Sequence, residues 1–343
     1  MRRLLNTLFV TTENAYLFLD GENVVVKADE EILGRFPLHI LEGIILFSYS
    51  GASPGLMGKC AEQGTDLVLC SPNGKFLART TGSNNGNVLL RRTQYRVADD
   101  EERSLQIAKN MILGKLYNGR WSIERSRRDH RLRMDEERLA HISDTLKNLQ
   151  SAVLEVKSLD SLRGIEGTAA SVYFSAFDEL ILQDKVHFFF NERSRRPPLD
   201  RVNALLSFSY SLLTWMCASA LESVGLDAYV GFLHTDRPGR VSLALDLMEE
   251  LRPCFADRFT LTLINNRVIQ SDDFIADEAG AFRLTDDARK RFLKAWQERK
   301  QETITHPFLQ EKIQWGLVPY VQALLLARFL RGDLDAYPTF LWK

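Results

Sequence analysis

The spacing of apolar residues changes period once along the chain, across residues 80–99, and that change limits the fold more than any other feature. Up to about residue 95, apolar and β-branched residues come in short runs: Thr7–Val10, Tyr16–Leu19, Val24–Val26, Ile32–Phe36, Ile40–Phe47, Asp66–Leu69 and Phe76–Arg79. Tight turns close them, with Asp20-Gly21-Glu22-Asn23 reading as a hairpin and Ser71-Pro72-Asn73-Gly74 as a second turn. One helix is predicted among them, Ser53 to Gln63, with Ser53 as N-cap, Pro54 at its first position and Gly64 as C-cap. The polar, Gly-rich stretch Thr80–Asn87 then breaks the chain and is the best candidate for a hinge. Beyond it, Asp99–Tyr117, Asp135–Leu159, Asp200–Ser223, Asp286–Thr303 and Ile313–Leu330 repeat at helical spacing. The expected fold class is α+β in two domains. A β-sandwich over residues 1–95 would serve dimer or partner contacts, and a larger all-α domain over 96–343 would carry the chemistry.

A chain of 343 residues is long enough for two cores. Its formal net charge of −1 gives no global sign of nucleic-acid binding, so any such surface must arise by local segregation of charge. Cys60, Cys70, Cys217 and Cys254 show no paired spacing and read as small buried apolar residues of a reducing compartment. The basic, apolar start is broken by Asn6, Thr7, Thr11 and Thr12, and no run approaches 18 apolar residues; a cytoplasmic protein without a membrane span is expected.

Residue types that do chemistry gather in Gly231–Pro253, GFLHTDRPGRVSLALDLMEELRP. His234 lies in a turn that also holds Arg237 and Arg240, candidates for clamping phosphate. A helix follows, with Ser242 as its expected N-cap and Leu243, Leu247 and Leu251 on its apolar stripe. Asp246 and Glu249 stand three apart on that helix, so an imidazole and two stacked acids converge. This donor set suits Mg²⁺ or Mn²⁺, while the plain alternative is a polar loop and a solvated helix face. Glu166 sits between Gly164 and Gly167 near an expected helix start, where it would either face a cleft or cap its own helix. Arg193, Arg195 and Arg196, on a Pro-stiffened loop beside Phe188, Phe189 and Phe190, and Lys290 with Lys294, at i and i+4, are further candidates for tracking phosphates. Seven arginines between Arg120 and Arg138 form either a salt-bridged face or a phosphate-facing one.

Three of these stretches in order, RGIEGTAASVYF (163–174), RVNALLSFSYSLL (201–213) and GFLHTDRPGRVSLALDLMEELRP (231–253), resemble the CRISPR adaptation integrase family. These are the CRISPR-associated endonucleases that insert new spacers into the array. The opening LLNTLFVTTENAYLFLDGENVVV resembles the type I-C branch. The resemblance implies a divalent metal, Mg²⁺ or Mn²⁺, held by Glu166, His234 and Glu249, with Asp246 a second acid near it. It also implies attack of a donor 3′-hydroxyl on a repeat phosphodiester, and a homodimer that joins a small ferredoxin-fold adaptation protein and DNA in a heterohexamer. Two other functions fit the same residues: a structure-specific nuclease of branched DNA and a catalytically silent DNA-binding scaffold.

Overall fold

The computed structural model describes residues 6–72, 76–80, 88–194, 197–278 and 280–343. The hinge candidate 81–87, the turn residues Asn73 and Gly74, and Arg195 and Arg196 lie outside them. In chain order the elements are β1 (Thr7–Val10), β2 (Tyr16–Asp20), β3 (Asn23–Ala28), β4 (Glu31–Pro37), β5 (Gly43–Phe47), α1 (Pro54–Gln63), β6 (Asp66–Cys70) and β7 (Phe76–Arg79). There follow α2 (Val88–Ala98), α3 (Glu101–His130), α4 (Glu136–Glu155), α5 (Leu159–Ser175), α6 (Arg201–Ser223), α7 (Ser242–Glu249) and α8 (Arg258–Asn265). The chain closes with β8 (Phe274–Ala276), β9 (Phe282–Leu284), α9 (Asp286–Gln301), β10 (Thr303–Thr305), β11 (Lys312–Gln314) and α10 (Val318–Leu330).

Two compact units result. The first takes Met1–Asn85 together with Thr285–Glu302 and Gln314–Leu317. Strands β2, β3 and β4 form an antiparallel meander, turning at Gly21 with a φ of +59°. The other sheet runs β1-β5-β6-β7, its first two pairings parallel and the last antiparallel. Leu17, Val24 and Val26 of the meander share a core with Val10, Ile44, Leu46 and Leu67 of the second sheet and with Leu56 and Cys60 of α1. Helix α1 has the expected ends: the Ser53 hydroxyl accepts from Leu56 N at 3.2 Å, and Gly64 turns left-handed at φ +69°. Helix α9, expected among the later helices, groups with the strands. Its Lys300 reaches Glu42 at 3.3 Å and the Thr7 hydroxyl at 3.0 Å, and its Arg289 lies over the Phe47 ring at 5.4 Å.

The second unit, Gly86–Leu284 with Thr303–Ile313 and Val318–Lys343, is mostly helical, with the β8–β9 hairpin and the β10–β11 ribbon between its helices. Helix α6 is its centre. The Asp200 carboxylate accepts from Asn203 N at 2.7 Å to cap it, and Leu205, Leu206, Leu213, Cys217 and Leu221 are wholly buried. By length and mean hydropathy (1.4) this helix would also suit a membrane span, but here it packs against α7, α8 and α10. Helix α3 runs on through the arginine-rich stretch that was expected to separate two helices. Asp100, Glu101 and Glu102 sit at its N-terminal end, and Arg127, Arg128 and His130 in its last turn, which matches the helix dipole. Its cations are paired inside the chain: Arg127 with Glu124 at 2.9 Å, Arg125 with Asp129 at 3.7 Å and, past the helix end, Arg131 with Glu136 at 2.6 Å. The salt-bridged reading of this stretch is the one the packing supports.

All four cysteines are buried thiols outside any disulfide, and burial pushes Cys60 up to about 11, with Asp66 adding to it, and Cys70 up to about 12.

Candidate active site

Helix α7 builds the site from the inside. Leu243, Leu247 and Leu251 anchor its apolar stripe in the core, each with almost no exposure. Val241 rather than Ser242 occupies the N-cap position; Ser242 is the first helical residue, and its hydroxyl donates back to the Thr235 carbonyl at 3.2 Å. Asp246, wholly buried, folds the loop before the helix around itself. Its Oδ2 accepts from Phe232 N at 2.6 Å and Leu233 N at 2.9 Å, and its Oδ1 from His234 N at 3.0 Å. The same Oδ1 lies 2.6 Å from His234 Nδ1. That pairing assigns the imidazole proton to Nδ1 and leaves the Nε2 lone pair to point away from Asp246, the usual way a carboxylate orients a ligating histidine. Gly231 is obligatory here, because a β-carbon would come within 2.8 Å of Asp246 Oδ2 and 3.0 Å of the Ser242 backbone. Asp246 is therefore engaged by four donors, which makes it the support of His234.

Glu249, one turn on, answers burial differently. It is 2% exposed; its Oε1 pairs with Arg252 at 3.1 Å, and its Oε2 faces Lys115 Nζ of α3 at 2.8 Å. Burial by itself would push the Glu249 carboxyl up, but the charges of Arg252 and Lys115 outweigh it and hold the group at about 2. The same Lys115 ammonium pairs with Glu166 Oε1.

Glu166 lies in the interior of α5, whose N-cap is Ser158, so it does not cap its own helix. Gly164 and Gly167 beside it open onto free space and do not serve a close helix contact. One turn earlier Arg163 grips the Leu233 carbonyl through two nitrogens, at 3.1 and 2.8 Å, locking α5 to the loop that carries His234.

Two acids from different helices thus converge on one cation, beside a histidine with a free ring nitrogen. Among the described residues no three His, Cys, Asp or Glu side chains stand close enough together to hold an ion already; Lys115 occupies the space between the acids. The donor chemistry, carboxylate oxygens and one imidazole, fits Mg²⁺ or Mn²⁺.

The basic candidates separate. Arg237 is exposed and Arg240 partly so, both in the His234 loop. Arg193 turns inward instead: it donates to Asn203 Oδ1 at 2.5 Å and to the Ser207 hydroxyl at 3.1 Å, and it stacks on Tyr210 at 5.3 Å. It ties its loop to α6, and with its nitrogens so engaged it is poorly placed to clamp phosphate. Phe188 and Phe190 are core residues, and Phe189 is partly exposed. Lys290 and Lys294 belong to the strand-rich unit, lining an open cavity of about 380 Å³ with Phe9, Thr11 and Gln297.

Sequence reasoning missed Lys115, Arg252 and Arg163, and also Glu250. Glu250 is wholly buried and accepts from Gln322 Nε2 (2.9 Å), Thr339 Oγ1 (2.5 Å), Phe340 N (2.7 Å) and the Tyr337 hydroxyl, strapping the tail to the end of α7.

The family model for "CRISPR associated protein Cas1" matches residues 8–298. The CRISPR-associated endonuclease Cas1 2 of Rhodospirillum rubrum is 51% identical over 347 residues, covering all of both chains. A CAS1 protein from Thermotoga maritima has the same fold, with a TM-score of 0.82 at 20% identity over 97% of this chain and 99% of that one. A chain of a Cas6-RT-Cas1–Cas2 complex matches at a TM-score of 0.81 and 25% identity, covering 98% of this chain and 36% of that one. The chain belongs to the CRISPR-associated Cas1 family.

Proposed function

We propose that this protein is a divalent-metal-dependent DNA endonuclease and integrase that inserts spacer DNA into a CRISPR array. The observation that carries the reading is the convergence of Glu166 and Glu249, from separate helices, on a single positive charge next to a histidine oriented by Asp246. Glu166, Glu249 and His234 Nε2 would hold Mg²⁺ or Mn²⁺. When bound, the ion would polarise a phosphoryl oxygen and stabilise the charge that builds there.

The chain's own groups do the rest. Asp246 keeps the proton on His234 Nδ1, so the imidazole binds as a neutral ligand. Arg252 remains beside Glu249 and keeps it ionised. Arg237, exposed, and Arg240, partly exposed on the same loop, steer the DNA backbone into place. In the joining step the donor 3′-hydroxyl loses its proton as its oxygen bonds to phosphorus. One P–O bond of the repeat strand breaks, and the departing 3′-oxygen gains a proton, so the number of phosphodiesters is unchanged.

The partners proposed are DNA, a second copy of this chain and the small ferredoxin-fold adaptation protein in a heterohexamer. Likeness to a chain in a complex whose name includes Cas2 supports this. The start of the sequence supports the type I-C branch, and a DNA substrate of this kind implies the cytoplasm.

The test is transfer of an end-labelled donor to a repeat-bearing duplex, with Mg²⁺, Mn²⁺ or EDTA. Covalent joining that needs the ion is expected. Metal-dependent cleavage of branched DNA without joining, which the relatives' designation as endonucleases makes the second reading, would replace integrase with nuclease.

A further inference from the structure

We propose that Lys115 is a built-in placeholder for the ion, an ammonium that occupies the seat between Glu166 and Glu249 and gives it up when the divalent cation binds. The inference rests on the proposed metal reading and adds to it which of the chain's own charges holds the two acids together.

Three observations lead there. First, the two carboxylates come from α5 and α7 and Lys115 from α3, so no local helical pairing explains the cluster. Second, among the described residues Lys115 is the one hydrogen-bond or ion-pair partner of the Glu166 carboxylate. Without it a partly buried carboxylate and a fully buried one would face each other with their like charges uncompensated. Third, the two cations at Glu249 differ in how they are held. Arg252 is stacked over the Tyr210 ring at 5.0 Å, which makes it a fixed partner. Lys115 carries a compact charge on a flexible four-carbon stem, and among the described residues its polar contacts are the two acids alone. The exchangeable cation is the one in the seat, and the permanent one is beside it.

Competition of this kind has a sign that a merely structural lysine would not show. Removing the competitor makes the ion bind more tightly, whereas removing a scaffold residue weakens binding. The experiment is Mn²⁺ titration of the full chain by electron paramagnetic resonance and calorimetry, with melting curves in EDTA, for wild type, Lys115→Met, Lys115→Gln and Arg240→Gln. Lys115→Gln is included because its amide still donates to the acids and protects the fold if the Met variant fails. Either Lys115 variant is expected to bind Mn²⁺ at least tenfold more tightly and to melt lower in EDTA, with added Mn²⁺ restoring the loss. Arg240→Gln, which removes a nearby charge without emptying the seat, is expected to change affinity less than threefold.

Unchanged or weaker Mn²⁺ binding by folded Lys115→Gln overturns the placeholder role while leaving the metal reading intact, as does an equal gain in Arg240→Gln. Absence of Mn²⁺ binding in wild type and both Lys115 variants overturns the metal reading and this inference together. Binding that appears in Lys115→Gln and is undetectable in wild type supports the placeholder.

Discussion

Glu249 and Glu250 are adjacent, both are buried, and they resolve burial in opposite ways. Glu250 is satisfied by neutral donors, two hydroxyls, an amide side chain and a backbone N–H, and burial still pushes its carboxyl up against the pull of Thr339, Tyr337, Phe340 and Gln322. Glu249 is flanked by cations and held at about 2, after burial is outweighed by Arg252 and Lys115. The same division separates Asp246, ringed by backbone N–H groups and a histidine, from Glu166, which meets an ammonium. Carboxylates held by dipoles belong to the scaffold, because backbone donors cannot be exchanged. Carboxylates held by side-chain cations carry full charges on both sides, and their partners are not part of the backbone scaffold.

The largest expected effect breaks the cation side. Glu166→Ala and Glu249→Gln should each lower metal-dependent joining by at least about 100-fold, the loss of a few kcal/mol of transition-state stabilisation. Glu166→Ala should leave the melting transition in place, since that carboxylate is partly exposed. A folded Glu166→Ala protein with wild-type joining would end the assignment.

Asp246→Ala tests the dipole side. It strands three buried N–H groups and unpins His234, so denaturant unfolding should show a loss of about 3 kcal/mol or more along with lost joining. A loss under 1 kcal/mol would mean that the loop is held by something other than this acid.

Asp257 sharpens the comparison through pH. Burial pushes it up to about 6, against the Tyr210 hydroxyl and the charges of Arg252 and Arg193. Its folded value lies above its unfolded one, so its contribution favours the fold at acid pH and falls as pH rises from 3.8 through 6. The stability difference between wild type and Asp257→Asn should shift against wild type across that window, by up to about 3 kcal/mol. A difference that stays flat from pH 4 to 7 would contradict it. The smallest effect is Tyr337→Phe, which removes one donor of several from Glu250 and should lower stability by about 1–2 kcal/mol with joining nearly unchanged.

How much of this was legible in sequence follows from the range of each contact. Ser53, Pro54 and Gly64 mark α1 because caps act within four residues, and Asp200 marks α6 for the same reason. His234 and Asp246 are 12 apart on one loop and helix, close enough for spacing to suggest convergence. Lys115 meets partners 51 and 134 residues away, and on α3 it is one cation in a helix full of them, so no local pattern marks it. Glu250 reads like Glu249 in sequence, since only the distant tail at Tyr337–Phe340 tells them apart. Helix α9 has an ordinary amphipathic pattern, which says that one face is buried but not that strands bury it. The arginine-rich turns of α3 escaped a helical reading because charges, not apolar residues, carry its last turns.

The most direct measurement is diffraction from crystals of the full chain soaked in Mn²⁺, recorded at the manganese absorption edge. The account predicts one anomalous peak bounded by Glu166, Glu249 and His234 Nε2, with Asp246 still on Nδ1 and the Lys115 ammonium withdrawn from between the acids. A Mn²⁺-saturated crystal with no peak there and Lys115 still bridging Glu166 and Glu249 would contradict it.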